Sequence, residues 1–287
     1  MAKYLTYDTS PALENNFLSM SSLKIKVKKA LIRAIAPTAV FFHGDGLPRA
    51  RVISLHDIPE KLKNDFEQKM RWLTATCTMV SLENIYRGER LDKNRLNVAL
   101  TFDDGFREQA TFAAPLLQSL SIPATFFVPS GALGATEEFG RKNLRRHGNF
   151  HFMSASELTS LADGPLFEIG GHTMHHTDLG EQLSLVELEN EIVQDKKNLE
   201  TILGKPMHFF AYPFGSIKNL HADSAAMIKN AGYKAAFTIV PSFWFPKGDP
   251  YRAGRDSLSL DDQTALWNAC LSGGYDGISR FKNFLFK

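Results

Sequence analysis

The chain has 287 residues, of which 44% are hydrophobic and 22% are charged, as is usual for a globular protein. That length suffices for one large domain or two small ones. The formal net charge of +2 at pH 7 does not indicate a nucleic-acid partner, because such proteins usually present a strongly basic face. Only two cysteines, Cys77 and Cys270, are present. They are too few for a disulfide framework, and we expect two buried thiols.

The N-terminal region lacks the pattern of a secretory signal, because polar residues such as Asp8 and Glu14 stand where an apolar run would follow a basic start. The segment Lys24–Arg33 predicts a basic amphipathic helix. Such a helix can lie on an anionic membrane surface, or it can be a solvated helix that leads into the core. We therefore expect a cytoplasmic protein without a transmembrane helix, and peripheral contact with the inner membrane surface is one option.

Short apolar runs alternate with amphipathic helical patterns along the rest of the chain. Helical patterns include one that begins at a capping box of Ser184 and Glu187 and ends at Gly204, and another over Leu260–Leu271. This alternation predicts parallel strands with crossover helices, in a sheet that is open or closed into a barrel. The predicted buried strands are Val52–His56, Val98–Phe102, Ala124–Val128, Leu166–Gly170, Met207–Tyr212 and Ala235–Val240.

Two adjacent carboxylates, Asp103 and Asp104, follow the second predicted strand and precede Gly105. Functional residues of parallel α/β folds lie at the C-terminal ends of strands. Adjacent acids there repel each other, and a cation or a proton between them relieves the repulsion. One carboxylate can then bind a metal ion while the other accepts a proton from water. The alternative is an acidic turn that caps the following helix, because Asp-Gly is a common turn pair.

Three histidines follow the fourth predicted strand, at positions 172, 175 and 176. His172 and His176 are four residues apart, so one helical turn would place both imidazoles on the same face. Two histidines and one carboxylate form a facial set of ligands that leaves positions open for water and substrate. We therefore predict that His172, His176 and Asp104 form a metal site.

The segments TFDDG at residues 101–105 and HTMHH at residues 172–176 resemble two motifs of the polysaccharide deacetylase family, the NodB-type carbohydrate esterases. This resemblance implies a distorted (β/α) barrel. It also implies that Asp103 is the general base and that Asp104, His172 and His176 bind the metal. We accordingly expect an N-terminal extension over residues 1–45, with the basic helix, and a single deacetylase-like catalytic domain over residues 46–287.

Other segments are similar to the same family more loosely. Tyr212-Pro213-Phe214-Gly215 resembles its third motif, and we expect these residues to bind substrate. Leu55–Ile58, Phe152–Ser154 and Ser272–Asp276 resemble segments of a subgroup that acts on exopolysaccharides. Trp244, in a polar loop that contains prolines, is a further candidate for stacking on a sugar ring.

Two features of the family are missing. The arginine that opens the third motif and orients the catalytic Asp is replaced by Ala211, and we expect Arg255 to supply the guanidinium from another loop. The histidine that acts as general acid is absent from the C-terminal part. His56 is the preferred substitute, with His175 and His151 as alternatives, and a hydrogen-bonded core role for His56 is equally open.

The expected activity is metal-dependent hydrolysis of the N-acetyl group of an amino sugar, in a surface polysaccharide or its biosynthetic precursor. A carbohydrate is therefore the expected partner, and zinc is the expected metal, with cobalt, nickel or iron as alternatives. Two other functions remain open at this point. One is a deformylase or deacetylase of a small or lipid-linked sugar, and the other is a non-catalytic carbohydrate-binding protein that contains a metal.

Overall fold

The computed structural model describes residues 48–146, 148, 150–244, 248–274 and 276. The predicted extension over residues 1–45 and its basic helix lie outside the described residues. Across the described part of the chain, no helix combines the length and the apolar character that crossing a bilayer requires.

Strands β1 to β8 form one sheet in the described ranges, and their recorded pairings are parallel. The strand order is β7-β6-β5-β4-β3-β1-β8, and β2 adds to β3. Every residue of β1, β3 and β4 is buried, as expected for a parallel sheet covered on both faces. The bounds are β1 (Ala50–Leu55), β2 (Thr78–Met79), β3 (Asn97–Phe102), β4 (Ala124–Val128), β5 (Phe167–Gly171), β6 (Phe209–Ala211), β7 (Ala235–Phe237) and β8 (Asp256–Ser257).

Helices connect the strands on the outside of the sheet. Their bounds are α1 (Lys63–Thr76), α2 (Leu82–Arg87), α3 (Ala114–Ser119), α4 (Glu137–Asn143), α5 (Ala155–Ala162), α6 (Leu185–Glu189), α7 (Asp195–Leu203), α8 (Ser224–Asn230) and α9 (Thr264–Leu271). A π-helical turn precedes α3, and a second one, Asn190–Gln194, joins α6 to α7. The predicted capping box of Ser184 and Glu187 is present, and Gly204 ends α7 with a φ of 66°, so both helix signals are confirmed.

The sheet curls until its two ends meet. The N–H of Thr238, just after β7, donates to the carbonyl of Ala253 at 2.7 Å, and the N–H of Ala253 donates to the carbonyl of Ala236 at 3.0 Å. Alternate strand residues, including Phe127 and Phe237, fill the interior. The other face packs against helix residues such as Phe66, Leu117, Leu199 and Trp267. The fold is the predicted distorted (β/α) barrel.

The predicted elements differ from the structure mainly at their ends. β4 has its predicted bounds. β6 and β7 are shorter than the strands predicted for them, Met207–Tyr212 and Ala235–Val240. The chain leaves the sheet there to form loops at the C-terminal edge of the barrel. β2 and β8 have two residues each, too few for a detectable periodicity. The helix predicted over Leu260–Leu271 begins only at Thr264.

We predict that Gly170→Ala destabilises the barrel, because β5 approaches its neighbours too closely for a side chain. A Cβ at Gly170 would lie 2.5 Å from two ring carbons of Phe127 and 2.7 Å from the carbonyl oxygen of Phe209. Such overpacking costs about 1–3 kcal/mol of unfolding free energy. Gly164→Ala is the matched control, because its nearest neighbouring atom is 3.8 Å away. Equal thermal midpoints for the two variants would contradict the prediction.

Candidate active site

The loop after β3 places two carboxylates at the C-terminal edge of the barrel. The side chains of Asp103 and Asp104 are buried, and both follow directly from the strand, where function is expected. Asp104 and Gly105 have positive φ angles of 76° and 72°, so the chain turns sharply between the two acids. A Cβ at Gly105 would also lie 2.9 Å from Cγ1 of Val128. This turn allows the adjacent carboxylates to reach different partners.

Asp104, His172 and His176 form a buried group in which one ligand atom from each residue lies within 4.8 Å of the others. Nε2 of His172 is 3.5 Å and Nε2 of His176 is 3.2 Å from Oδ1 of Asp104. The three residues come from the ends of two strands, β3 and β5, that are both neighbours of β4. This is a candidate metal site with the ligand types of a facial Asp-His-His set.

Hydrogen bonds behind the two imidazoles fix which nitrogen faces the site. Nδ1 of His172 is 2.7 Å from the carbonyl of Ala211, and Nδ1 of His176 is 3.2 Å from that of Asn143. A carbonyl can only accept, so each Nδ1 bears the proton and each Nε2 presents a lone pair. Oδ1 of Asp104 is buried without a hydrogen-bond partner. Three acceptor atoms that face one another fit a divalent cation, which would satisfy all of them.

The helical turn predicted for His172 and His176 is wrong. The chain leaves β5 as a loop in which Thr173 and His176 have positive φ angles of 60° and 56°. The N–H of Thr177 donates to Oγ1 of Thr173 at 3.0 Å, which closes the loop. The two imidazoles lie 4.9 Å apart between ring centroids because this loop folds back on itself.

Arg255 forms a bidentate ion pair with the other carboxylate. Nη1 and Nη2 of Arg255 donate to Oδ1 and Oδ2 of Asp103 at 2.7 and 2.8 Å, and Oγ of Ser54 donates to Oδ2 at 3.1 Å. Burial alone would raise the pKa of Asp103, but the positive charge of Arg255 brings that pKa below its ordinary value. The carboxylate is therefore ionised and held in one orientation.

The sequence did not indicate several residues that support Asp103. Ser54 lies on β1, and its hydroxyl donates to Asp103. Thr101, on β3, supports Arg255 instead, because its Oγ1 accepts a hydrogen bond from Nη1 of Arg255 at 3.0 Å. Nε2 of Gln109 donates to the backbone carbonyls of Asp103 at 2.6 Å and of His56 at 3.1 Å. Strand alternation would have placed Ser54 and Thr101 on the inner face, but only the folded loop brings Gln109 to this position.

Of the three histidines considered as a general acid, His56 is the one beside Asp103. Its Nε2 is 3.9 Å from Oδ2 of Asp103, and its side chain is 37% exposed. Nδ1 of His175 instead lies 2.8 Å from Oε1 of Glu191. His151 is exposed and lines a separate surface cavity. The structure thus brings His56, Asp103 and the metal ligands together and leaves the other two histidines aside.

Comparison with known proteins identifies the family. The model of the family described as polysaccharide deacetylase matches residues 90–236, just over half of the chain. The chain belongs to the polysaccharide deacetylase family. It is therefore a hydrolase that acts on carbon–nitrogen bonds other than peptide bonds.

Curated relatives agree with this family, and solved structures share the fold. A poly-β-1,6-N-acetyl-D-glucosamine N-deacetylase of Staphylococcus aureus is 28% identical over 211 residues, which cover 69% of this chain and 68% of the relative. One of Staphylococcus epidermidis is 25% identical over 224 residues, 73% of each chain. In fold, the chain is similar to IcaB from Ammonifex degensii, with a TM-score of 0.62, 22% identity, and coverage of 77% of this chain and 97% of that one. The BpsB deacetylase domain from Bordetella bronchiseptica gives a TM-score of 0.61 at 18% identity, over 75% and 97% of the two chains.

The loop after β6, which resembles the third motif of the polysaccharide deacetylases, brings Phe214 to the metal site. The ring of Phe214 lies 4.8 Å from that of His176, and the guanidinium of Arg145 lies 4.7 Å above it. The side chain of Tyr212 is buried, and its hydroxyl donates to the carbonyl of Tyr251 at 2.9 Å. Phe214 can thus contact a substrate, whereas the side chain of Tyr212 is bound within the fold.

Trp244 does not lie in the substrate cleft of this deacetylase, which corrects its prediction as a substrate-binding residue. The backbone N–H of Trp244 donates at 2.9 Å to the carbonyl of Ala50, the first residue of β1. Ala50 pairs with Asn97, which is about six residues, or ~20 Å at ~3.3 Å per residue, before Asp103. The indole packs against Phe237, with 6.3 Å between ring centroids. Trp244 therefore lies at the N-terminal end of the barrel, opposite the site.

Asp276, the last residue of the segment Ser272–Asp276, is connected to β8 through Arg51 of β1. Oδ2 of Asp276 accepts from Nη2 of Arg51 at 2.7 Å, and Nη1 of Arg51 binds both oxygens of Asp256 at 3.1 and 3.2 Å. Burial raises the pKa of Asp256 to about 7, although Arg51 opposes the shift. Asp256, the first residue of β8, follows Arg255 directly in the chain, so this outer network helps to fix the backbone from which Arg255 reaches Asp103.

We predict that Arg255→Met lowers the unfolding free energy of the metal-free protein by about 3–5 kcal/mol, because it leaves the buried carboxylate of Asp103 without its partner. Urea unfolding measures the change. Arg252→Met is the matched control, since Arg252 is exposed and lies 3.9 Å from Asp249, and an exposed pair contributes less than about 1 kcal/mol. A similar small loss in both variants would contradict a role for Arg255 in stabilising Asp103.

Proposed function

We propose that the chain is a zinc-dependent N-deacetylase that hydrolyses the acetamide of N-acetylglucosamine units in a surface polysaccharide or its precursor. The observation that supports this most directly is the position of Asp103, bound by Arg255, next to the buried set of Asp104, His172 and His176. Hydrolysis of an amide requires a proton acceptor for water beside a group that polarises the carbonyl.

The choice of substrate and metal draws on two further observations. The Staphylococcus relatives are named for deacetylation of poly-β-1,6-N-acetyl-D-glucosamine, so that polymer is the first substrate to test. Two imidazoles and one carboxylate are ligands that zinc binds well, and cobalt, nickel and iron accept the same set. Asp104, His172 and His176 are the residues that would hold the ion.

Asp103 is the proposed general base. A bound zinc ion supplies polarisation of the acyl carbonyl and a water of lowered pKa. Asp103 accepts the proton of the attacking water on its carboxylate, which Arg255 and Ser54 orient. Because Arg255 lowers the pKa of this carboxylate, the proton then passes from Asp103 to the amine product or to solvent, and the carboxylate is restored.

The loop after β6 offers one backbone N–H to the oxyanion that forms during attack. The N–H of Tyr212 donates to the carbonyl of Phe237, and that of Gly215 donates to the carbonyl of Pro213. Pro213 itself has no N–H. Within this loop the N–H of Phe214 is left, on a residue whose ring contacts the metal site. We give Phe214 the role of stabilising the negative charge through this N–H.

His56 is the proposed general acid that protonates the departing amine. It is the histidine beside Asp103, and its partly exposed ring borders a cavity of about 490 Å³. A cavity of this size accommodates a sugar unit. Its walls combine apolar and polar side chains, among them Leu258, Ser259 and Asp57, which suits the two faces of a pyranose ring. The scissile amide would lie between this cavity and the metal ligands.

We expect metal-stripped protein to release no acetate from poly-β-1,6-N-acetylglucosamine, and added zinc to restore release. Asp103→Asn should bind zinc without turnover, because the ligand set remains while the proton acceptor is lost. His172→Ala should lose both binding and turnover. Released acetate and bound zinc are measured on the same samples. Near-normal turnover by Asp103→Asn would show that another group is the base, and no release by the wild type on any N-acylated amino sugar, with zinc bound, would favour a binding protein.

We expect His56→Gln to lower kcat for the amide substrate by about 10²–10⁴-fold, the usual contribution of a general acid. The loss should be much smaller with p-nitrophenyl acetate, because a nitrophenolate departs without a proton. His151→Gln is the matched control and should leave both rates unchanged. Equal losses on the two substrates would mean that His56 acts in some way other than protonating the amine.

A further inference from the structure

The metal-binding loop, residues 172–176, lies against the helical segment that begins at Asn190. This segment is the π-helical turn Asn190–Gln194 followed by α7, and π-turns occur frequently at functional sites. Two carboxylates from it, Glu191 and Asp195, are 9% and 0% exposed. Neither takes part in the chemistry proposed above. Four residues apart on a helical segment, both can face the same loop.

Asp195 joins the ends of two strands behind the first histidine. Its Oδ2 accepts the backbone N–H of His172 at 3.3 Å, and its Oδ1 accepts that of Ser130 at 2.8 Å. Ser130 follows β4, and His172 follows β5. A single carboxylate thus connects the backbone segments that follow β4 and β5, at the edge of the metal site.

Glu191 binds the middle of the same loop. Its Oε2 accepts the N–H of His175 at 3.0 Å, and its Oε1 is 2.8 Å from Nδ1 of the same histidine. The backbone carbonyl of Glu191 accepts the N–H of Met174 at 3.0 Å. Three N–H groups of the loop, at positions 172, 174 and 175, therefore bond to this one segment, and His175 has a partner other than substrate.

The loop needs such support because its backbone is unfavourable on its own. Thr173 and His176 have φ angles of 60° and 56°, a left-handed conformation that a residue with a Cβ adopts only when its surroundings impose it. We infer that Glu191 and Asp195, the acid clamp, are positioning residues that hold this loop in the conformation in which His172 and His176 face one ion. The inference rests on the proposed metal site and adds to it the residues that shape the site.

Asp195→Asn and Glu191→Met test the clamp with little change in side-chain size. A carboxylate accepts at both oxygens, whereas an amide has one acceptor and one donor group. Asp195→Asn therefore sets an NH₂ group against a backbone N–H of either His172 or Ser130. Glu191→Met removes both acceptors of His175, whereas a glutamine could keep both contacts by accepting the backbone N–H and donating to Nδ1. Glu189→Met is the matched control, because Glu189 is exposed two residues before Glu191.

The experiment measures three properties of the purified full chain: zinc affinity by competition with a chromophoric chelator, the absorption spectrum of the Co²⁺ form, and hydrogen exchange of residues 171–177 in the metal-free state. Both clamp variants should bind zinc about 10–100-fold more weakly, the usual effect of losing a partner behind the ligands. Their Co²⁺ spectra should change, and their loop amides should exchange faster. Glu189→Met should match the wild type in all three.

Wild-type zinc affinity and an unchanged Co²⁺ spectrum in both clamp variants would overturn the inference and leave the proposed deacetylase intact. Failure of the wild type itself to bind zinc or Co²⁺ would overturn the proposed metal site, and the clamp with it. If Asp195→Asn does not fold, Glu191→Met alone decides, because the partner of Glu191, His175, has a 55% exposed side chain and the loss of this contact disturbs the core less.

Discussion

The buried ion pair between Asp103 and Arg255 constrains how the barrel can close. Transfer of a carboxylate and a guanidinium from water to the interior costs several kcal/mol for each ion. Good geometry and further hydrogen bonds offset that cost, and here Ser54 donates to Asp103 while Arg255 donates to Thr101 and Thr238. These partners come from β1, β3 and the ends of the sheet near β7 and β8. The pair is therefore satisfied only when the two ends of the sheet meet, as they do at Ala253.

The same constraint separates the functions of two acids that are neighbours in the chain. Asp103 is paired with the positive charge of Arg255, which keeps the carboxylate ionised and oriented. Asp104 faces two imidazole lone pairs, and its charge is available for a cation. Groups of one chemical type acquire different tasks through such differences in environment. The turn at Asp104 and Gly105, with both φ angles positive, makes this separation possible over a single peptide bond.

The sequence allowed the strands and the position of the site to be predicted, because both depend on local patterns. Short apolar runs indicated the main strands, and polar residues at their C-terminal ends indicated Asp103, Asp104, His172 and His176. The loop conformation around the histidines was beyond such patterns. A spacing of four suits a helix, but the contacts of Glu191 and Asp195 with this loop favour left-handed residues instead. Tertiary contacts of this kind leave no periodicity in the sequence.

Trp244 and Arg255 show what could and could not be predicted for the loops: the position of Arg255 was predicted correctly, and that of Trp244 was not. Both lie in the chain after β7, and the composition of the surrounding loop suggested exposure for Trp244. The curl of the sheet places the indole at the N-terminal end of the barrel and the guanidinium beside Asp103. Arg255 could be predicted as the partner of Asp103, because Ala211 replaces the arginine of the family motif and the carboxylate still needs a positive charge. No comparable requirement existed for Trp244, so its position followed from topology alone.

The separation of Asp103 and Arg255 by 152 positions also affects the order in which the parts of the site form during folding. Contacts between distant parts of a chain form late, since a long loop must first be closed. During synthesis, the loops with the metal ligands emerge from the ribosome well before the strand with the arginine. A nascent chain can therefore bring Asp104, His172 and His176 together while Asp103 is still unpaired. Docking of β8, which Arg51 and Asp276 secure from outside, then pairs Asp103 with Arg255.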